Sequence, residues 1–152
     1  MEIAAEEVKK LRDKTGAGIM DARRALTEAD GDFEKAKEIL KAKGASVVAK
    51  KAQRQTSQGL IETYVHAGGK VGSMIYLACE TDFVAKTDEF KNLAKEIAMQ
   101  VAAMNPQDPG KLLEQEYIRD PSKKVKELVD EVIAKTGEKI VISRFARMEL
   151  SC

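Results

Sequence analysis

Few side chains in this chain are able to carry nucleophilic or metal chemistry. They are a lone His66, two cysteines (Cys79 and Cys152), and Glu80 beside the first of these. A catalytic thiol or hydroxyl needs a base within hydrogen-bond reach, and a zinc site needs pairs of Cys or His at fixed spacing. No Cys-x-x-Cys, His-x-x-x-His or Gly-x-Ser-x-Gly occurs. His66 precedes Ala67-Gly68-Gly69 and is expected at a solvated hairpin tip. The expectation is a protein that is not an enzyme and that holds no metal or other cofactor. Two cysteines make no disulfide framework. Cys79, inside an apolar strand pattern, reads as a small buried side chain. Cys152 reads as a surface thiol that stays reduced in a reducing compartment.

Contact chemistry is better represented. Thr81-Asp82-Phe83-Val84 falls between a strand pattern and a long helical stripe, at a sheet end where the chain must surface. Two readings are open on these residues alone. In one, Thr81 or Asp82 caps a helix and Phe83 packs back as a hydrophobic staple, which local mechanics favour. In the other, Phe83 is an aromatic anchor presented to a partner, with Asp82 as its polar companion. Thr15-Gly16-Ala17-Gly18-Ile19-Met20 is the second constellation. A phosphate loop would need more glycines after a strand and a following Lys-Ser/Thr, so a turn between helices remains, with Ile19-Met20 as a contact patch.

The elements that position these residues follow from periodicity. Ala4, Val8 and Leu11 recur at helical spacing up to Thr15-Gly16, and Ala22, Ala25, Leu26 and Ala29 form a second stripe. After Asp30-Gly31, Asp32 is placed to cap a third helix with Phe33, Ala36, Ile39 and Leu40 inward and Lys43-Gly44 as its stop. Residues 45–58, with Lys50-Lys51-Ala52-Gln53-Arg54, read as a polar linker. From Gly59 the period becomes two: a strand from Leu60 to His66, a turn at Ala67–Lys70, and a return strand from Val71 to Glu80 with Val71, Ser73, Ile75, Leu77 and Cys79 on one face. Phe90, Leu93, Ala94, Ile97, Ala98, Val101 and Ala102 then draw a helical stripe ended by Asn105-Pro106. Residues 105–121 hold all three prolines and read as irregular, with a turn of helix near Leu112-Leu113. Pro121-Ser122 is expected to open another helix, with Val125, Leu128, Val129, Val132 and Ile133 inward and Gly137 as its stop. A last strand runs from Lys139 to about Leu150, its even positions Ile140, Ile142, Ala146, Met148 and Leu150 facing one way, interrupted by Arg144. This order predicts an α+β protein: three helices, then a β-β-α-α-β core with a small antiparallel sheet packed on helices. The expected division is 1–54, a three-helix domain plus linker, and 55–152, an α+β core.

Composition bounds the function. The chain carries 26 basic and 25 acidic residues, a balance that argues against an electrostatic grip on nucleic acid. The basic run near residue 50 has no interleaved aromatics. No apolar stretch is long enough to span a membrane. The acidic, polar start Met1-Glu2-Ile3-Ala4-Ala5-Glu6-Glu7 is unlike a secretory signal, so the expected location is the cytoplasm.

Together these segments resemble one family, elongation factor Ts. Val8-Lys9-Lys10-Leu11-Arg12, Thr15-Gly16-Ala17-Gly18-Ile19-Met20-Asp21 and Lys35-Ala36 to Lys43-Gly44 resemble its ubiquitin-associated-like N-terminal domain. Cys79-Glu80-Thr81-Asp82-Phe83-Val84-Ala85 is similar to its central signature. Ala134-Lys135-Thr136-Gly137-Glu138-Lys139-Ile140 with Arg144-Phe145 is similar to the end of its core. The resemblance implies a guanine-nucleotide exchange factor for the GTPase elongation factor Tu in translation elongation. The N-terminal domain would dock on the GTPase's nucleotide domain, with Arg12, Ile19 and Met20 on the docking surface. Thr81, Asp82, Phe83 and Val84 would form the element that dislocates Mg²⁺, Asp82 and Phe83 pressing beside the phosphate site so that GDP leaves.

Two departures from the family pattern stand out. Most relatives carry a second core subdomain, whereas this chain has the pattern of one. A three-stranded half-core exposes an edge and part of a face, so two copies are expected to associate as a homodimer, as in short relatives. Lys139 stands where the family usually carries Asn. Functions of other classes are a binding adaptor using the three-helix head, and an RNA-associated protein using the basic linker.

Overall fold

The computed structural model describes residues 3–151, and their side chains outside 47–51. Contacts divide the chain into two units, Met1–Gln53 with Asp130–Gly137 and Arg54–Val129 with Glu138–Cys152.

In the first unit, α1 (Ala5–Thr15) buries Val8 and Leu11 and ends where Gly16 turns left-handed, φ 71°, its N–H donating to the Arg12 carbonyl. Gly18 then leads into α2 (Ile19–Glu28), which buries Ala22, Ala25 and Leu26. Asp30 and Gly31, both at positive φ, swing the chain round, and Asp32 caps α3 (Phe33–Lys51) by accepting from Lys35 N at 3.0 Å. The core is Val8, Leu11, Ala22, Ala25, Leu26, Ala29 and Ala36, fringed by Ile3, Phe33, Ile39 and Leu40. So many alanines let the helices approach closely but bury little area. The expected stop at Lys43-Gly44 does not occur. Gly44 stays helical and α3 continues to Lys51, because residues 45–51 are all compatible with a helix and a mid-helix glycine costs only about 1 kcal/mol.

The second unit is built on an antiparallel sheet of order β1-β2-β5: β1 (Gln58–Val65), β2 (Val71–Cys79) and β5 (Ile140–Glu149). Gly68 and Gly69, both left-handed, close the β1–β2 hairpin. The inner face carries Ser73, Ile75, Leu77 and Cys79, all buried, against α5 (Asp88–Met104). The Ser73 hydroxyl donates to the Ala98 carbonyl at 2.5 Å. The expected α5 stripe, Phe90 to Ala102, is buried throughout. Gln100 is buried too, donating to Gln115 Oε1 and the Glu116 carbonyl and accepting from Ile118 N.

β5 departs from simple alternation. Leu77 pairs with Ile142 but Tyr76 pairs with Arg144, so Ser143 is an extra residue, a β-bulge. Ile140 and Ile142 face inward as expected. Beyond the bulge the parity inverts: Phe145 and Arg147 turn inward, Arg147 Nε donating to the Ala102 carbonyl at 2.9 Å, while Ala146, Met148 and Leu150 are exposed. The outer face therefore shows Ile61, Val65, Met74 and Met148 to solvent.

Between α5 and the last strand, Asp108 caps the short α6 (Pro109–Glu114), which includes the expected turn at Leu112-Leu113. β3 (Glu116–Tyr117) and β4 (Asp120–Lys124) then form a small hairpin. Pro121-Ser122 thus lies in a strand rather than at a helix start. Asp120 Oδ1 takes both the Ser122 N–H and hydroxyl, which turns the chain into β4 and holds Ser122 in an extended, paired strand, and α7 (Val125–Thr136) begins three residues later. Gly137, φ 76°, ends α7 as expected. Val125, Val129 and Ile133 are buried, whereas Leu128 and Val132 are only partly so. Cys152 lies outside the described residues. Among the described residues no helix is long and apolar enough to cross a membrane.

Candidate functional site

β2 ends at Cys79, and five residues separate Thr81 from Thr87, the cap of α5. The chain spends them on one helical turn, α4 (Asp82–Ala85). Thr81 has extended backbone and its hydroxyl accepts from Val84 N at 3.4 Å, so the capping half of the local reading holds. The stapling half does not. Phe83 is 87% exposed, and the residues that turn inward are Val84, at 8%, and Ala85, at 7%. At the far end Thr87 Oγ1 donates back to the Val84 carbonyl at 2.7 Å. Asp82 is also exposed and pairs with Lys86 one turn on, Oδ2 to Nζ 2.7 Å. The four-residue turn therefore alternates by duty: Thr81 and Val84 hold it, and Asp82 and Phe83 project from it.

A second brace comes from the segment between α7 and β5. Glu138 Oε1 accepts from Glu80 N at 3.1 Å and Thr81 N at 2.9 Å, while its Oε2 accepts from the Thr81 hydroxyl at 2.5 Å. Glu80 answers in kind: its Oε2 accepts from Lys139 N at 2.8 Å and pairs with Arg54 at 3.5 Å. Cys79 lies buried beneath, Sγ donating to the Thr81 carbonyl at 3.1 Å. Burial, reinforced by the nearby Glu138 charge, pushes this thiol up to about 11, so it is an uncharged packing group at neutral pH. Reasoning from sequence missed Glu138 and Lys86 as parts of this turn. Lys86 was findable from its i, i+4 spacing to Asp82. Glu138 lies 57 residues from Thr81, and only the strand register brings it there.

In the helical unit, Arg12 is exposed in the last turn of α1, and Ile19 and Met20 are exposed, at 56% and 59%, in the first turn of α2. Met20 edges a shallow depression lined by Arg23, Arg24, Thr27 and Glu28. Nearby, Asp21 is ion-paired with Lys43. Ile19 and Met20 thus form one apolar patch; the Thr81–Val84 turn belongs to the other unit. His66 is exposed, its Nδ1 2.9 Å from the Tyr64 hydroxyl. Among the described residues no group of three or more His, Cys, Asp or Glu is arranged to hold a metal ion.

Comparison with known proteins matches residues 80–151 to the family model described as Elongation factor TS. Relatives named Elongation factor Ts align over nearly the whole chain. One from Thermoanaerobacter sp. (strain X514) is 46% identical, covering 97% of this chain and 94% of its own length. One from Fervidobacterium nodosum is 43% identical over 99% of both chains, and one from Thermotoga maritima is 45% identical, covering 99% and 97%. These alignments run over 192 to 195 positions against a chain of 152, so the relatives carry residues that this chain lacks. With this identity over 97% or more of the chain, and the braced turn falling inside the matched segment, the chain belongs to the elongation factor Ts family.

Proposed function

We propose that this chain is a guanine-nucleotide exchange factor in translation elongation, which binds elongation factor Tu carrying GDP and promotes GDP release by disturbing its Mg²⁺–phosphate site. One observation carries the reading: in a member of this family, a large aromatic, Phe83, stands 87% exposed on a turn held rigid on both sides. A large aromatic held out on a rigid turn beside a polar companion is the kind of residue that forms an interface hot spot when a partner buries it. Asp82 and Phe83 press on the GTPase, while Thr81 and Val84 shape the junction. Arg12, Ile19 and Met20 form the docking surface of the three-helix, ubiquitin-associated-like domain, 1–54. Residues 55–152 supply the turn and the dimer contact.

The action is thermodynamic linkage rather than catalysis of a bond change. A factor that binds the nucleotide-free GTPase more tightly than the GDP-bound one weakens GDP binding by the same factor. The protein works in the cytoplasm, without cofactor, membrane or direct nucleic-acid contact. It acts as a homodimer whose contact is the outer sheet face bearing Ile61, Val65, Met74 and Met148, an apolar patch suited to self-complementary pairing about a two-fold axis. The test is release of fluorescently labelled GDP from elongation factor Tu with and without the protein. Acceleration is expected, and its absence at saturating protein would sink the exchange reading.

A further inference from the structure

The last paired residues of β2 and β5 are Cys79 and Ile140. Beyond them the two chains part, one into α4 and the other back toward Gly137. Side chains take over where the ladder stops. Each strand lends a glutamate to the other's backbone: Glu138 to the N–H groups of Glu80 and Thr81, and Glu80 to that of Lys139. Arg54, 3.5 Å from Glu80, offsets the proximity of two carboxylates.

We infer that Glu138 is a positioning residue for Phe83, holding the Thr81–Val84 turn in its partner-ready shape before any partner arrives. This rests on the exchange reading above. One hydroxyl proton sets the geometry. Thr81 donates it to Glu138 Oε2, so the lone pairs of the same oxygen are left for the Val84 N–H. A carboxylate at 138 thus enforces the rotamer in which Thr81 caps α4. A four-residue helix has no stability of its own, since nucleation costs more than one turn returns. It stands because Glu138 holds the cap residue, Thr81, that leads into it, while Val84 and Ala85 at its far end are buried. Phe83 sits between these anchors. Without Glu138 the turn samples other shapes, and the partner must bear the cost of ordering it on binding.

The experiment uses the full chain with Glu138→Gln, Phe83→Ala and the double variant. Gln keeps the shape but offers one carbonyl oxygen and turns an NH₂ toward Thr81, which reverses the hydroxyl's role. Two readouts are taken: labelled-GDP release from elongation factor Tu, and amide hydrogen exchange. E138Q is expected to slow GDP release about tenfold, or about 1.4 kcal/mol. In the F83A background the same change is expected to cost less than about twofold, because it acts through Phe83. Amide exchange is expected to quicken about tenfold at Thr81 and Val84 and to stay unchanged at Ile97 and Val101 in α5.

The inference is overturned if E138Q matches the wild type in both readouts, or if its tenfold effect persists in full without Phe83. It is equally overturned if α5 amides quicken as much as those of the turn, which would make Glu138 a brace of the whole sheet. A wild-type protein that does not accelerate GDP release removes the exchange reading and this inference with it, a result distinct from an active wild type with an indifferent E138Q.

Discussion

Replacing Phe83 by Ala separates folding from function, because the structure assigns nearly all of this side chain's area to solvent. A Phe presents roughly 200 Å². At 87% exposure only about 25 Å² of that is withdrawn from water, worth about 0.6 kcal/mol at 25 cal/mol per Å². Ala is the better helix former by a few tenths of a kcal/mol, which offsets part of this loss. The melting temperature of F83A should therefore lie within about 2–3 °C of wild type. In a complex the same ring has its whole area to bury, about 1.5–3 kcal/mol. GDP release at subsaturating protein should accordingly fall roughly 10- to 100-fold. Val84, its neighbour, supplies the contrast. It is 8% exposed, so Val84→Ala should destabilise by roughly 1–2 kcal/mol and reduce exchange only as far as the turn loosens. Circular-dichroism melts and stopped-flow release on the two variants decide the matter. An F83A protein that melts many degrees lower, or that exchanges nucleotide at the wild-type rate, would refute the reasoning.

Gly59 and Gly69 both have positive φ but differ in surroundings. A Cβ at Gly59 would lie 2.1 Å from the Leu77 carbonyl oxygen, whereas one at Gly69 meets nothing within 4 Å. Gly59→Ala should cost roughly 2–4 kcal/mol and Gly69→Ala only about 1–2, read as shifts in urea midpoint. Alkaline pH should weaken the fold. Burial and then Glu138 push the Cys79 thiol up to about 11, and burial and then the hydrogen bond to Glu96 push Tyr117 up to about 12. The folded chain thus prefers both groups neutral, so their stabilisation is complete below their ordinary pKa values and is lost as pH rises through about 9 to 12. Urea midpoints should fall over that range, and Cys79→Ala should flatten the fall between pH 9 and 11. For the outer face, the wild type should sediment as a dimer at micromolar concentration and Met74→Lys as a folded monomer. A monomeric wild type would remove the dimer proposal.

What could be read from the chain was local. The helix stop at Gly16, the Asp32 cap, the Gly68-Gly69 hairpin and the α5 stripe each depend on residues within a turn of one another. The errors arose where a distant or competing partner decides. Lys43-Gly44 resembles a helix end, yet nothing in it prevents continuation into residues 45–51. Pro121-Ser122 resembles a helix start, but the segment pairs with β3 as β4 instead. The Ser143 bulge is invisible in β5's own alternation, since it is defined only by pairing with β2. At the site, the threonine cap was legible, but the exposure of Phe83 was not. A staple and a projecting anchor have the same sequence signature, and which of them forms depends on Val84 and Ala85 taking the inward positions.

The bulge at Ser143 makes the end of β5 sensitive to frame. Pairing Ser143 with Tyr76 in a regular ladder, instead of bulging it out, would slip the strand beyond by one residue and re-phase it. Residues with the character of Phe145 and Arg147 would move to the outer face, and those of Ala146, Met148 and Leu150 to the inner one. The tie from Arg147 to the Ala102 carbonyl would be lost, and a guanidinium would stand in the middle of the apolar outer patch. One residue of register thus decides which side chains this end of the sheet shows on each face. A slip here would alter the outer surface more than most substitutions within it.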